Sequence, residues 1–461
     1  TGEGSFQRFG HSLASAGDVN GDGYDDVIAG APEYDGFTTD IGKAYVFHGS
    51  SNGLSSSADW TLEGDEEDLR LGHSVAGVGD VDGDGYDDVA IGLPMYDAPG
   101  RPPLVISNSG RVLVVKGSKQ YGLLSCTWPN PTCGWLIDPP SAQWGQQFGF
   151  ALAGVGDLDG DNHDDLVVGA PYYNVGTNAN AGRIAVYHGS VSGPTFQWQD
   201  TGPNQAYALF GYSVSGGGDI DGDGSPDIVA GAPYYDFTTH EDSGHVRVYF
   251  SPSVDAGIPT QADDSLVGFS VAATGDLDND GLADIVAGAP GADEALIYLG
   301  TGSRFWVAED ASIAGYNSFG HAVAFAGDMN GDGFSDILVG APDVGRIYLF
   351  LGQTGTNPVQ TPAIFEATGL LFSQLGYSVA SAGNVNGITG GGNFPDILAG
   401  APSYGKGTGA AFLYQGTDQD FVICEPDGRA CDDGNACTVN ADDQCQTGVC
   451  VSSAPYVCDD D

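Results

Sequence analysis

The nine residues Asp18-Val19-Asn20-Gly21-Asp22-Gly23-Tyr24-Asp25-Asp26 follow the pattern D-x-[DN]-x-D-G-x-x-D. Oxygen-bearing side chains fall at positions 1, 3, 5 and 9, and the glycine at 6 permits a sharp turn. Such spacing suits a hard cation. Ca²⁺ takes about 6–8 oxygens at about 2.3–2.6 Å, which alternate carboxylates, one backbone carbonyl and a water can supply.

The pattern recurs in loops that begin at Asp18, Asp80, Asp157, Asp219, Asp276 and Asp328. The expected ligands are Asp18, Asn20, Asp22 and Asp26; Asp80, Asp82, Asp84 and Asp88; Asp157, Asp159, Asp161 and Asp165. They continue with Asp219, Asp221, Asp223 and Asp227; Asp276, Asp278, Asp280 and Asp284; and Asp328, Asn330, Asp332 and Asp336. Position 7, held by Tyr24, Tyr86, His163, Ser225, Leu282 and Phe334, would lend its backbone carbonyl. About six structural Ca²⁺ ions are therefore expected.

An EF-hand loop needs a carboxylate at position 12, but Ala29, Ile91, Val168, Ala230, Ala287 and Val339 stand there. Each loop is instead followed by an aliphatic, β-branched run and preceded by another, so the loop joins two strands of a hairpin. The chain has 461 residues with a formal charge of −49, which argues against a nucleic-acid binder that works by neutralising phosphates. Six Ca²⁺ would offset part of this charge, and the remainder favours a salty medium or a cationic partner. Gly 74 and Pro 24 fit a turn-rich, all-β chain, and no apolar run approaches the roughly 20 residues of a membrane-spanning helix. No signal peptide is read, so Thr1 is taken as a mature end.

Taking the Phe-Gly pair as register, repeats start at Phe9, Leu71, Phe148, Phe210, Val267, Phe319 and Leu375. Each repeat holds four candidate strands, including a third such as GKAYVFHG and an outer one around Trp60, Trp135, Trp198 or Trp306. Four strands repeated seven times predict an all-β, seven-bladed β-propeller over residues 1–423, whose closure protects the sheet edges.

Phe9-Gly10 with Gly30-Ala31-Pro32, and Phe319-Gly320 with Gly340-Ala341-Pro342, resemble the FG-GAP repeats of the integrin α-subunit propeller. The resemblance covers about residues 5 to 417. It implies that the metal loops lie together on one rim. The residues after each Phe-Gly are His11, His73, Phe150, Tyr212, Phe269, His321 and Tyr377, expected on the innermost strands. In integrins the matching positions form an aromatic cage that receives a basic residue of the β subunit; the plain alternative is a plug of the channel. The three histidines could make this cup sensitive to pH. With His321 read as opposite His11 and His73, a three-histidine metal site is not expected.

Three departures stand out. Blade 2 carries a proline-rich insertion and the Cys126–Cys133 segment, whose cysteines can close a small disulfide loop around Trp128. Blade 7 has Asn384 and Asn386 where carboxylates would be and a longer loop before Asp396, so its metal site is expected to be empty. Residues 424–461 form a cysteine-rich tail in which Cys424, Cys431, Cys437, Cys445, Cys450 and Cys458 read as three disulfides. That tail resembles short repeats of secreted bacterial, particularly myxobacterial, proteins, and a second unit is expected to follow it. Phe421-Val422-Ile423 is expected to supply the outer strand of blade 7, since the glycine-rich stretch before Phe9 suits that role poorly.

H-E-x-x-H does not occur, and Lys43, Arg111, Arg183 and Arg346 open third strands, which is a structural place. The expectation is a secreted or surface-displayed, non-enzymatic adhesion module, monomeric when isolated, that binds a protein or glycan on the face opposite the calcium rim. The competing readings are a Ca²⁺-dependent carbohydrate-active enzyme or lectin, and an architectural spacer.

Overall fold

The computed structural model describes residues 2–3, 6–98, 105–119, 122–126, 133–237, 240–250, 265–300, 311–355, 357–370, 372–387 and 394–416, with the strands Ala98–Pro99, Val254–Ile258, Gln444–Gln446 and Val449–Val451 described by their backbone. Blade 1 is an antiparallel sheet of Ser12–Gly17, Asp26–Ala31, Lys43–Phe47 and Trp60–Glu63, in that spatial order. Blades 1 to 6 share this four-stranded arrangement. Blade 7 shows three strands among the described residues, Ser378–Gly383, Asp396–Ala401 and Ala410–Tyr414. The expected Phe421–Ile423 strand and Trp306 lie outside the described residues. So do Trp128 and, in the tail, Cys424, Cys431, Cys437 and Cys458. Cys445 and Cys450 pair across a backbone hairpin.

The second strand of blade 1 is buried along its whole length, because it lies between two strands of its own sheet and between two neighbouring blades. This explains why each second strand reads as an unbroken apolar run rather than an alternating one. The apolar core is divided accordingly into seven clusters, each wedged between adjacent blades. The closing wedge joins Phe9, Val27 and Tyr45 of blade 1 to Ala382, Val385 and Leu398 of blade 7.

Ring closure also uses the N-terminal stretch. Phe9 bridges Gly409 in parallel, repeating the bridges Gly42–Leu71, Gly110–Phe148, Gly182–Phe210 and Gly244–Val267 between other neighbours. The Gly2 and Arg8 N–H groups donate to the carbonyls of Gly409 and Gly407. The stretch before Phe9 thus engages blade 7 more than its composition suggests.

The two glycines of each repeat have one spatial role. Gly10 adopts φ +81°, and its N–H donates to Gly30 O at 3.0 Å within the blade. A Cβ on Gly30 would lie 1.9 Å from Gly72 O, the corresponding carbonyl of the next blade. The same approach recurs from Gly92 to Gly149, Gly169 to Gly211, Gly231 to Gly268, Gly288 to Gly320, Gly340 to Gly376 and Gly400 to Gly10.

In blade 2, the Cys126–Cys133 disulfide forms with Cα atoms 5.3 Å apart. Leu123 and Cys133 join the core between blades 1 and 2, and the Trp60 indole donates to Leu124 O at 3.1 Å. The insertion therefore covers the outer edge of that seam.

Gly400→Ala tests closure, since its Cβ would meet Gly10 O at 2.0 Å and Ser378 Oγ at 2.3 Å. The expected outcome is a loss of about 3 kcal/mol or more, seen as a clear fall in melting temperature. An unchanged melting curve would show that the blades can part at this point without cost.

Candidate functional site

Each inner strand runs from the axial turn to a cation loop, so the loops gather at one end of the propeller and the axial residues at the other. A register shift precedes the loop in every blade, placing Gly17 opposite Asp26 and its counterparts likewise. In loop 1, Asp18 accepts the N–H groups of Asp22 (3.0 Å) and Gly23 (2.8 Å), while Asp22 accepts that of Tyr24 (3.1 Å). Asp26 accepts the Val19 N–H at 3.1 Å and the Gly49 N–H at 2.8 Å, tying the loop to the end of the third strand. Loop 3 lacks the glycine at position 6, and Asn162 takes the left-handed conformation there with φ +67°.

In loops 2 to 5, three carboxylates offer ligand atoms within 4.8 Å of one another: Asp80, Asp82 and Asp88; Asp157, Asp159 and Asp161; Asp219, Asp221 and Asp227; Asp276, Asp278 and Asp284. Loops 1 and 6 place Asn20 and Asn330 at position 3. Asn20 Oδ1, Asp82 Oδ1 and Asp278 Oδ1 are buried acceptors without a hydrogen-bond donor. Buried oxygens of this kind fit a cation. Burial pushes the position-9 carboxyls up, Asp26, Asp284 and Asp336 to about 7, Asp88 to about 8 and Asp165 to about 6, because the lost hydration outweighs the backbone N–H groups that each carboxylate accepts.

In blade 7 an amide stands beside the position-9 carboxylate. The Asn386 amide donates to both oxygens of Asp396 at 3.1 Å, and Asp396 keeps its ties to Val385 and Gly416. The structural half of the motif thus survives where the ligand half has gone.

Two further positions of the loop act between blades, and the motif spacing gave no reason to single them out. At position 8, Asp87 accepts the Asp18 N–H at 2.8 Å, Asp164 accepts that of Asp80 at 2.9 Å, and Asp25 accepts that of Asn384 at 2.6 Å. At position 7, the side chains of Tyr86, His163, Leu282 and Tyr24 lie over Gly21, Gly83, Gly222 and Gly387 of the preceding blade. Packing thereby accounts for the residue types at these four positions. The third strand adds one more feature. Lys116 of blade 2 contacts Asp82 directly, and His188 Nδ1 of blade 3 lies 2.7 Å from Asp159 Oδ2.

At the opposite end, the seven axial residues form a closed ring. Neighbouring centroids are 4.9 Å apart for His11–His73, 4.7 Å for His73–Phe150 and 5.0 Å for Phe150–Tyr212, Tyr212–Phe269 and Phe269–His321. His321–Tyr377 at 4.8 Å and Tyr377–His11 at 5.0 Å complete it. The residues sit in the turn just before each inner strand rather than on it, because the left-handed glycine reverses the chain there. His321 is two places from His11, not opposite, and Tyr377 stands between them. His11 uses both nitrogens, toward His73 O at 3.2 Å and Tyr377 Oη at 3.3 Å, so the three histidines do not converge on one point.

Burial holds His73 and His321 down at about 4 and His11 well below its ordinary value, so the ring is uncharged near neutral pH. Beneath the ring, Ser12, Ser74, Ser213 and Ser378 donate to the next blade's Phe-Gly carbonyls at 2.8–3.0 Å. Leu13, Val75 and their counterparts line the channel further in, and the whole space is about 270 Å³. Arg183, fully buried, bonds Ser141, Gln146 and Gln199, which confirms a structural place for that guanidinium.

The raised position-9 carboxyls give a pH prediction. A group whose folded pKa of about 6–8 exceeds its unfolded value of about 3.9 stabilises the fold when protonated, and that contribution is lost as pH rises through the folded pKa. In excess chelator the melting temperature should therefore rise as pH falls from about 8.5 to 7.5, a window above the ordinary histidine titration. A flat or opposite trend in chelator would contradict the picture of uncompensated carboxylates. Lys116→Met should remove a cation in contact with loop 2 and tighten one calcium site by roughly tenfold, measured by calorimetry. Unchanged isotherms would mean that the ammonium swings clear of the site.

The FG-GAP repeat model matches residues 9–47, 71–115, 148–187 and 210–249, and an FG-GAP-like repeat model matches residues 276–339. Among curated proteins, the chain is 34% identical over 238 residues to integrin alpha pat-2 of Caenorhabditis elegans, covering 48% of this chain and 18% of that protein. It is 34% identical over 197 residues to integrin alpha-5 of Xenopus laevis, covering 42% and 17%. It is 35% identical over 192 residues to human integrin alpha-IIb, covering 40% and 16%. The matched region is thus less than a fifth of the length of these relatives. Seven blades built on one pair of glycines, with the matching repeat models, place the chain in the FG-GAP repeat family as an integrin-alpha-like β-propeller.

Proposed function

We propose that this propeller is an extracellular, non-enzymatic adhesion module that docks a protein partner on the face bearing the axial ring and takes a basic side chain of that partner into the ring. The closed ring is the observation that carries this reading. With neighbours 4.7–5.0 Å apart, a heptagon places its centre roughly 5.6 Å from every centroid, inside the roughly 6 Å reach of a cation–π contact. A guanidinium or ammonium on the axis would stand within that distance of all seven ring centroids, three of them neutral imidazoles.

The surroundings support the same reading. Phe6, Trp144, Tyr207, Tyr316, Leu370 and Phe372 are exposed, and all lie on connections that lead into an axial turn, hence on the ring face. They form an apolar collar of the kind that marks a protein interface. The strongly negative chain favours a cationic partner and speeds its approach.

In this reading the rim loops hold Ca²⁺ structurally, with the carboxylates and amides of positions 1, 3, 5 and 9 and the carbonyl of position 7 as ligands. Each ion would relieve buried, mutually repelling carboxylates and fasten one blade to the next through positions 7 and 8. Six loops are suited to this, while blade 7 carries its own amide in place of the ion. A lectin or carbohydrate-active enzyme would draw on a metal beside its ligand, and here the candidate metals stand at the end away from the ring.

Arginine methyl ester titrated into isotopically labelled protein should shift the ring resonances of Tyr212, Phe269 and Tyr377, and Phe269→Ala should weaken binding by about 0.5–1 kcal/mol. Shifts confined to other surfaces would sink the cage reading.

A further inference from the structure

Loop 3 differs from its five counterparts in what stands behind it. The third strand of blade 3, Ile184–His188, ends on an imidazole whose Nδ1 lies 2.7 Å from Asp159 Oδ2 and whose Nε2 lies 3.9 Å from Asp165 Oδ2. Asp159, Asp165 and His188 can each offer one ligand atom, all within 4.8 Å of one another. At the equivalent place blade 2 carries Lys116, blade 5 Leu299 and blade 6 Leu351, while His48 of blade 1 faces Asp59 at 4.0 Å. Among the described residues, loop 3 is where an imidazole clusters with two carboxylates.

The ligand set matters because cations differ in what they accept. Ca²⁺ is hard and takes oxygens, so an imidazole contributes little to it. Zn²⁺ and Co²⁺ accept imidazole nitrogen together with carboxylate oxygen, at about 2.0–2.2 Å and with fewer ligands. Asp165 is already fixed for such a role. Its two oxygens accept the Leu158 and Gly189 N–H groups at 2.9 and 2.8 Å, which orients the carboxylate and leaves further lone pairs for an ion. The side chain of Asp159 is 39% exposed and that of His188 18%, so an ion can enter from the rim.

We propose that loop 3 is a site for a late first-row divalent ion such as Zn²⁺ or Co²⁺, held by His188, Asp159 and Asp165 with water completing the shell. This rests on the reading that the rim loops hold divalent cations, and it separates one of them by ligand chemistry. The remaining loops keep all-oxygen sets, so the rim would carry two kinds of ion. The neighbouring seam would feel the choice, since Asp164 ties blade 3 to Asp80 and His163 lies over Gly83 of loop 2.

The test uses the whole chain in millimolar Ca²⁺, titrated with Co²⁺ and followed by visible absorption and calorimetry. One Co²⁺ per chain should bind with the spectrum of a nitrogen-containing site, and His188→Gln should weaken it by roughly tenfold or more. Calcium binding measured without Co²⁺ should stay the same in that variant. A wild-type measurement avoids dependence on the variant's fold: Zn²⁺ should shift the ring-nitrogen signals of His188, and Ca²⁺ should not. Equal Co²⁺ binding by His188→Gln would overturn the proposal. So would loss of Co²⁺ binding in His163→Gln or His73→Phe instead, or His188 signals that Zn²⁺ leaves in place. If calcium occupies the rim loops but Co²⁺ finds no preferred site, only this proposal fails; if no loop binds any cation, the structural-calcium reading fails with it.

Discussion

The propeller depends on one close approach repeated seven times. The carbonyl of the glycine in each Phe-Gly pair occupies the space that a Cβ would take on the second-strand glycine of the preceding blade. Any side chain there would push the blades apart at the axis, where no loop can absorb the displacement. Because the first glycine also needs a left-handed backbone, the repeat cannot drift at either position. The last of these approaches, from Gly400 to Gly10, joins residues near the two ends of the propeller. Closure is then a property of the whole ring rather than of any blade.

Close packing at the axis sets the geometry at both ends. On one face it turns the chain so that the next residue points at the axis, and seven aromatic or imidazole side chains meet as a ring of mutually tilted planes. On the other it splays the hairpins into cation loops in which carboxylates crowd with little hydration. The position-9 aspartate is common to all seven blades, buried and tied to the loop on one side and the end of the sheet on the other; in blade 4 the tie to Ile220 is the one described. Besides backbone N–H groups, a lysine at blade 2, a histidine at blade 3 and an asparagine at blade 7 each place side-chain nitrogen against a loop carboxylate.

Much of this was legible from the residues. The repeats, the hairpin around each cation loop, the degeneracy of blade 7 and the identity of the axial residues all follow from spacing within one blade, over some twenty residues. The placing of the axial residues on the inner strand and of His321 opposite His11 did not hold, because a turn of a few residues and the order of blades around a ring are not visible in a linear pattern. The glycine-rich stretch before Phe9 read as a poor partner for blade 7, yet its backbone N–H groups bond there regardless of side chains.

The sequence by itself therefore determined what is periodic: seven sheets, their apolar second strands, the oxygen-bearing loop positions and the ring-forming positions. The tertiary structure alone decided what lies between blades: the aspartates at position 8, the side chains at position 7 that cover a neighbour's glycine, and the basic groups that reach loops 2 and 3. The physical reason is distance along the chain. Contacts within a hairpin are fixed by a period of two and a turn, whereas contacts across a seam join residues some sixty positions apart, and only the closed ring brings them together.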